Sequence, residues 1–439
     1  MAQTVKTFKY MQNFQCVGSE CINTCCRGWD IHVDKEHYKK IKGKLSETAD
    51  GKDLLNRSFR KNRSASKAGG KLYKIEMDET ASCPLMDTQG LCRLHADYGE
   101  SYLPNTCAIY PRQLSVYRDQ WELTGYLSCP EVARLCLFDD DSFALVDTTI
   151  DSVPRKQAAI NQNIAANTLM PFYKHFGSVR DMMFNYLSLR DLPLRSRLFI
   201  LAFVANKLDP LIGQKGSTYQ ETEYQQILDA YTQEQQIQKL HQSFQGLDDV
   251  SRSFGAQLLG VILRIRAAAD FKTSTLSQLI CDITEDIGLC DDDVSDDAAL
   301  DEITQALLDK YQLLASVQDS ELNRRFDLAL ENYLKNFLYS NYYILSKMSL
   351  AEYVHMLILQ TTMLRFLVYS HPQLLAKRDA LSDMNETDKR VLIDQTIIDV
   401  FHKFSRGINH APEFMRTIQQ IFIQNNLNSL AHTSYLIMF

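Results

Sequence analysis

Residues 14–31 read FQCVGSECINTCCRGWDI. Four cysteines fall within eleven positions, as Cys16-x4-Cys21-x3-Cys25-Cys26, and Gly28 and Trp29 follow closely. Four more come later, in the contexts Cys83-Pro84-Leu85, Gly90-Leu91-Cys92-Arg93-Leu94-His95, Cys107-Ala108-Ile109-Tyr110-Pro111-Arg112 and Cys129-Pro130. This density points to ligation. Soft thiolates suit zinc, Cu(I) and iron–sulfur clusters. Short spacers bring two thiolates to one centre, and distant pairs close the chain around it. The glycine and proline neighbours let the backbone turn and aim its N–H groups at sulfur. Four thiolates satisfy one zinc ion or one 4Fe–4S cluster. Eight are too many for one such centre and enough for two, and spacing leaves both arrangements open. Neighbouring side chains of an extended backbone diverge, so Cys25 and Cys26 are not expected to serve one mononuclear site unless the chain turns there. His95, three residues after Cys92, admits a mixed Cys/His zinc site. Cys136, Cys281 and Cys290 stand apart and read as core packing.

The chain has 439 residues, enough to bury a large core without cysteine staples. Residues 1–16 lack the apolar run and cleavage site of a secretory leader. The most apolar stretches, Leu198–Leu208 and Met356–Tyr369, are too short to span a bilayer or are broken by Gln360, Thr361, Thr362 and Arg365. The expectation is a soluble, intracellular chain with reduced thiols, and there clustered cysteines bind metal or react. Peripheral membrane contact stays open. Residues 1–138 carry 20 basic against 16 acidic side chains, and the remainder 27 against 38. Within the first part, Asn56–Lys74 holds seven basic residues and no acid. It reads as a solvated loop or as a docking surface for an acidic partner or anionic lipid. Nucleic acid is disfavoured because the whole chain is acidic.

The expected fold is mostly α. An irregular cysteine-rich region, 1–150, with some short strands, is joined to a large helical domain, 151–439. The boundary falls near 139–155, a polar stretch that reaches Pro154. Short strands are expected around Trp29–Val33 and Leu72–Met77, and a helix over Val33–Lys44. Gln220–Phe244 and Glu321–Leu345 carry apolar residues at three- and four-residue spacings. Ser349 with Glu352 forms a capping box that opens Leu350–Tyr369. Thr387–Phe404 and Pro412–Asn425 read as further helices, the second with proline in its first turn. The acidic stretch Glu285–Glu302 reads as a surface loop.

The run Phe14-x-Cys16-x-Gly18-x-x-Cys21-x-x-x-Cys25-Cys26-x-Gly28-Trp29-x-Ile31 resembles the flagellin lysine-N-methylases, whose CxxCxxCC-type domain chelates zinc or iron. The Cys83-Pro84-Leu85, Gly90-Leu91-Cys92 and Cys107…Tyr110-Pro111-Arg112 segments are similar to the same domain, and the long helical part also matches. The resemblance implies methyl transfer from S-adenosylmethionine to lysine side chains of flagellin in the cytoplasm. It also implies an iron–sulfur cluster, 4Fe–4S, with zinc as the alternative. The spacing here, four and three intervening residues, departs from the compact form. Cys16, Cys21, Cys25 and Cys26 are the first choice of ligands, with Cys83, Cys92 and Cys107 in reserve.

Two familiar fingerprints are absent. Cys21-x3-Cys25 is followed directly by Cys26, so the radical-SAM spacing C-x3-C-x2-C is missing, and no GxGxxG segment marks a Rossmann cofactor site. Tyr333, Phe337, Tyr339, Tyr342 and Tyr343, with Glu331, form an aromatic group read first as core packing and second as a sulfonium pocket. No residue is singled out as catalytic base or as S-adenosylmethionine ligand. The competing function is a non-catalytic zinc- or iron-binding interaction protein.

Overall fold

The computed structural model describes residues 4–28, 31–62, 73–149, 153, 155–156, 159–161, 171–212, 221–247, 250–268, 275–290, 297–340, 348–409 and 412–439. The chain divides into two compact units, Met1–Leu135 with Ala144–Asn161, and Cys136–Phe143 with Gln162–Phe439. Among the described residues no helix is long and apolar enough to cross a membrane.

In chain order the first unit contains β1 (Thr4–Phe8), α1 (Lys9–Gln12), β2 (Ile31–Val33), α2 (Lys35–Leu45), α3 (Ala49–Ser58), β3 (Phe59–Lys61), β4 (Tyr73–Ile75), α4 (Arg93–Tyr98), α5 (Asn105–Ile109), β5 (Arg112–Tyr117) and β6 (Gln120–Gly125). α6 (Pro130–Leu137) follows, and β7 (Leu145–Thr149) and β8 (Ile160–Asn161) complete the unit. The strands expected around Trp29–Val33 and Leu72–Met77 are β2 and β4. They pair antiparallel, Ile31 opposite Ile75, in a small sheet ordered β2-β4-β3. Trp29 and residues 63–72 of the basic run lie outside the described residues. Where the run is described, Lys61 and Lys74 belong to strands and Arg60 pairs with Glu76 at 2.7 Å.

Ile31, Val33, Ile41, Leu54, Leu55 and Ile75 bury one side of this sheet against α2 and α3. Asp34 starts α2 by accepting the N–H groups of Glu36 and His37. Gly51 lets α3 follow closely, because a Cβ there would stand 2.0 Å from the Leu45 carbonyl oxygen.

A second sheet is ordered β7-β1-β6-β5-β8, with β1 parallel to β6 and antiparallel to β7. β5 and β6 form a hairpin closed by Arg118 and Asp119, both with positive φ (45° and 64°). That is the backbone of a tight hairpin turn matched to strand twist.

The second unit is helical: α7 (Pro171–Leu187), α8 (Leu194–Ile212), α9 (Glu221–Thr232), α10 (Glu234–Gln245), α11 (Val250–Ala268), α12 (Thr275–Thr284), α13 (Asp297–Ala315), α14 (Ser320–Ser340), α15 (Leu350–Tyr369), α16 (Pro372–Leu375), α17 (Glu386–Asn409), α18 (Pro412–Gln424) and α19 (Leu430–Met438). The capping box forms as expected: the Ser349 side chain accepts from the Glu352 N–H while Glu352 accepts from the Ser349 N–H. α15 buries 17 of its 20 residues, so it is a core helix apolar on all sides. α14 packs Phe326 and Tyr333 edge-on against Phe401 of α17. Its Asn332 binds the carbonyls of Leu137 and Asp139, fixing the excursion Cys136–Phe143 to the helical unit.

Gln220–Phe244 is helical as expected, in two helices that break at Gln233, because the stripe Tyr224-Ile227-Leu228-Tyr231 meets Glu234 and Gln235 where its next apolar positions fall. Two expectations need correction. The end of Glu285–Glu302 is helix, not loop. α13 begins at Asp297, within the stretch. Cys281 and Cys290 are joined in a disulfide instead of packing separately. A turn of 3-10 helix, Glu285–Ile287, and left-handed Gly288 (φ 70°) reverse the chain and return Cys290 to α12.

Candidate metal centre

Two short loops with one design present Cys83 and Cys92. In Asp78-Glu79-Thr80-Ala81-Ser82-Cys83, an Asp78 carboxylate oxygen accepts the N–H groups of Thr80 and Ser82 at 2.8 and 2.9 Å. In Asp87-Thr88-Gln89-Gly90-Leu91-Cys92, Asp87 accepts those of Gln89 and Leu91 at 2.9 and 2.8 Å. The residue two before each cysteine, Ala81 or Gly90, has positive φ (57° and 79°). Each aspartate thus folds a turn on itself and delivers a cysteine five residues on. The Cys83 sulfur then receives the Leu85 N–H, and the Cys92 sulfur those of Leu94 and His95. The sequence reading missed this repeated Asp-x-x-(Ala/Gly)-x-Cys pattern, although it is visible in the sequence.

Cys26 is tied to the first loop, since its carbonyl accepts the Cys83 N–H at 2.8 Å. Cys107 comes from α5. Cys26, Cys83, Cys92 and Cys107 all belong to the apolar cluster beneath the small sheet. Each lies within electrostatic reach of the other three.

Burial pushes the Cys83 thiol up to about 12 and raises those of Cys92 and Cys107. Cys26 moves the other way, to about 7, chiefly through a hydrogen bond with Cys25, whose own thiol the same bond pushes up. A cleft of about 780 Å3 opens against Cys83, walled by Met77, Pro84 and Met86.

The structure therefore divides the first-choice set. Cys26 joins the three reserve cysteines, and Cys16 and Cys25 are exposed outside the cluster. The vicinal pair sits in a turn, and its two thiols hydrogen-bond to each other. His95 is exposed on α4, facing away from the thiols' apolar surroundings. Cys136 is fully buried, as expected of packing.

Among the described residues no three cysteine, histidine or carboxylate side chains converge at the geometry of a bound ion. The donor set nevertheless suits a thiolate-ligated group: four sulfurs in one apolar pocket, two of them already served by backbone N–H groups. Four thiolates this close would repel one another without a cation between them.

In the helical unit, Tyr333 is core: it is fully buried, and its hydroxyl donates to Gln360 at 2.6 Å. Tyr339 stacks on the Arg180 guanidinium at 4.1 Å. Tyr342 and Tyr343 lie outside the described residues. Glu331 is no pocket carboxylate. It is buried among Arg197 and Lys335, each at 2.7 Å, and Arg190 at 2.9 Å. Burial alone would raise its carboxyl, but these three cations hold it below its ordinary value.

The family described as FliB lysine N-methylase C-terminal domain matches residues 180–436, most of the helical unit. The chain belongs to the FliB lysine N-methylase family. Among relatives, a lysine-N-methylase of Salmonella choleraesuis (strain SC-B67) is 31% identical over 150 residues, 34% of this chain and 36% of that protein. The lysine-N-methylase of Salmonella typhimurium matches to the same extent. The flagellar biosynthetic protein FliU of Salmonella muenchen is 31% identical over 145 residues, 32% of this chain and 82% of that protein. The matches thus span about a third of the length of the two lysine-N-methylases. No solved structure matches the chain.

Proposed function

We propose that this FliB-family chain is a protein-lysine N-methyltransferase that uses S-adenosylmethionine and acts on flagellin in the cytoplasm. The observation that carries the reading is the family match over residues 180–436. Two relatives named lysine-N-methylase and one named for flagellar biosynthesis support it. The cytoplasmic assignment follows from the substrate, which must be reached before export. The Cys281–Cys290 disulfide stands apart from that assignment, because cytosolic thiols are kept reduced.

Methyl transfer makes definite demands. S-adenosylmethionine supplies a sulfonium methyl group. The accepting amine must be neutral, whereas a free lysine side chain has a pKa near ~10.4. Desolvation or a neighbouring cation has to lower it.

We further propose that Cys26, Cys83, Cys92 and Cys107 hold a 4Fe–4S cluster, with zinc as the alternative. A cluster takes each thiolate on a different iron, so its ligands stand around a pocket. A zinc ion draws all four sulfurs to one point. The apolar surroundings that these four thiols share suit a thiolate-ligated group of either kind, and the family resemblance favours the cluster.

The test is direct. Protein purified without oxygen is incubated with flagellin and S-adenosylmethionine labelled at the methyl group. Label on flagellin lysines is expected. Metal-replete, folded protein that transfers none to flagellin would overturn the assignment and leave a metal-binding interaction protein.

A further inference from the structure

Two of the other four cysteines of the N-terminal unit, Cys16 and Cys129, come together at a different place, the end of the five-stranded sheet. α1 lies directly on the end of β6. The Tyr10 hydroxyl accepts the Gly125 N–H at 3.1 Å, and a Cβ on Gly125 would stand 2.4 Å from the Met11 sulfur. The chain leaving α1 turns at Phe14, whose ring faces the Arg112 guanidinium at 5.1 Å. Arg112 is the register partner of Gly125. Cys16 follows Phe14 by two residues, and Cys129 follows Gly125 by four. Both therefore arrive at the same sheet end, within electrostatic reach of each other and of Arg112. Cys21 lies in reach of Cys129, and Cys25 in reach of Cys16. None of these four belongs to the apolar cluster that takes Cys26, Cys83, Cys92 and Cys107. Surroundings thus sort the eight thiols into two sets of four, with Cys25, hydrogen-bonded to Cys26 and in reach of Cys107, at the border between them.

We propose that Cys16, Cys21, Cys25 and Cys129 form a second thiolate centre that binds a thiophilic metal, either a zinc ion or a further iron–sulfur cluster, with Arg112 as its counter-charge. On binding, each thiol loses its proton to solvent and its sulfur becomes a ligand. Four thiolates on a doubly charged ion or cluster leave two net negative charges, which the half-buried Arg112 guanidinium partly offsets. The Cys129 sulfur already receives the N–H groups of Glu131 and Val132 at the start of α6. The Cys25–Cys26 peptide then lies between the two centres, one side chain serving each. None of this depends on the methyl-transfer reading.

The test uses the full chain, purified without oxygen. Iron and zinc are counted per chain, and the native protein is alkylated with iodoacetamide and mapped by mass spectrometry. Two centres predict about eight irons, or about four irons with one zinc, or two zincs. Cys16 and Cys25, although exposed, are expected to react at least about tenfold more slowly than after chelation. Cys129→Ala, and Cys16→Ser as a variant at an exposed position, are each expected to lose one centre and keep the other, while Cys107→Ser loses the complementary one. Metal for a single centre, unchanged in Cys129→Ala and Cys16→Ser, with Cys16 and Cys25 alkylated equally fast before and after chelation, would overturn the proposal.

Discussion

The two units fill their interiors with different material. The helical unit has long elements and an apolar core: α15 is buried on all sides, and Phe326, Phe401 and Phe404 are fully buried around α14 and α17. The cysteine-rich unit has three-residue strands, a four-residue helix and loops folded on single aspartates, and thiols complete the apolar cluster beneath its small sheet. Short elements bury little surface each, so they lean on cross-links or metals. With the proposed metal in place, the stability of the first unit is tied to what its thiols bind, whereas that of the second is built into its own packing.

The largest expected effect breaks the comparison on the cysteine side. Cys107→Ser should remove the buried centre and, with it, metal-linked stability on the order of 10 kcal/mol, the scale of structural thiolate zinc sites. Limited proteolysis should then cut within residues 31–108 while the helical unit survives. Cys136→Ala, which removes a fully buried thiol of the helical unit, should leave the metal content unchanged.

Next in size is the helical unit's buried carboxylate. Glu331→Gln leaves Arg197 and Lys335 buried and short of counter-charge, at a cost of about 3–5 kcal/mol. Urea unfolding followed by helical circular dichroism measures it, and the loss should not depend on metal.

Acid sharpens the contrast further. Burial opposes the charge of Asp399, yet the nearby His371 ring and the Lys403 ammonium, which donates to it at 2.7 Å, hold its carboxyl down to about 2. A depressed carboxyl stabilises the fold above its unfolded value, near ~3.9, and the contribution is lost as pH falls through the folded value. Between about pH 4 and pH 2, Asp399→Asn should therefore show a shallower decline in stability than the parent protein. The smallest effect belongs to a helix cap: Ser349→Ala should cost about 1 kcal/mol, read in the same urea titration.

What the sequence disclosed follows the range of each interaction. The Ser349–Glu352 box and Pro412 at the head of α18 act within one helical turn, and both were legible. The cysteine density marked out the first unit as a region distinct from the helical one. The grouping of the thiols was not legible, because it depends on how loops separated by tens of residues fold back. The five-stranded sheet was invisible for the same reason: Val5 pairs with Trp121 across most of the unit. The β5–β6 hairpin escaped because Arg118-Asp119 takes the two positive-φ positions without the glycine that usually marks such a turn. The Asp78…Cys83 and Asp87…Cys92 loops carry a local signal that spacing between cysteines alone does not reveal.

Amide hydrogen exchange of the full chain, metal-loaded and then chelated, bears most directly on the contrast between the units. Chelation should strip protection from the strands and helices around Cys26, Cys83, Cys92 and Cys107 and leave α14, α15 and α17 as slow as before. Unchanged protection around those thiols, or equal loss in both units, would contradict the account.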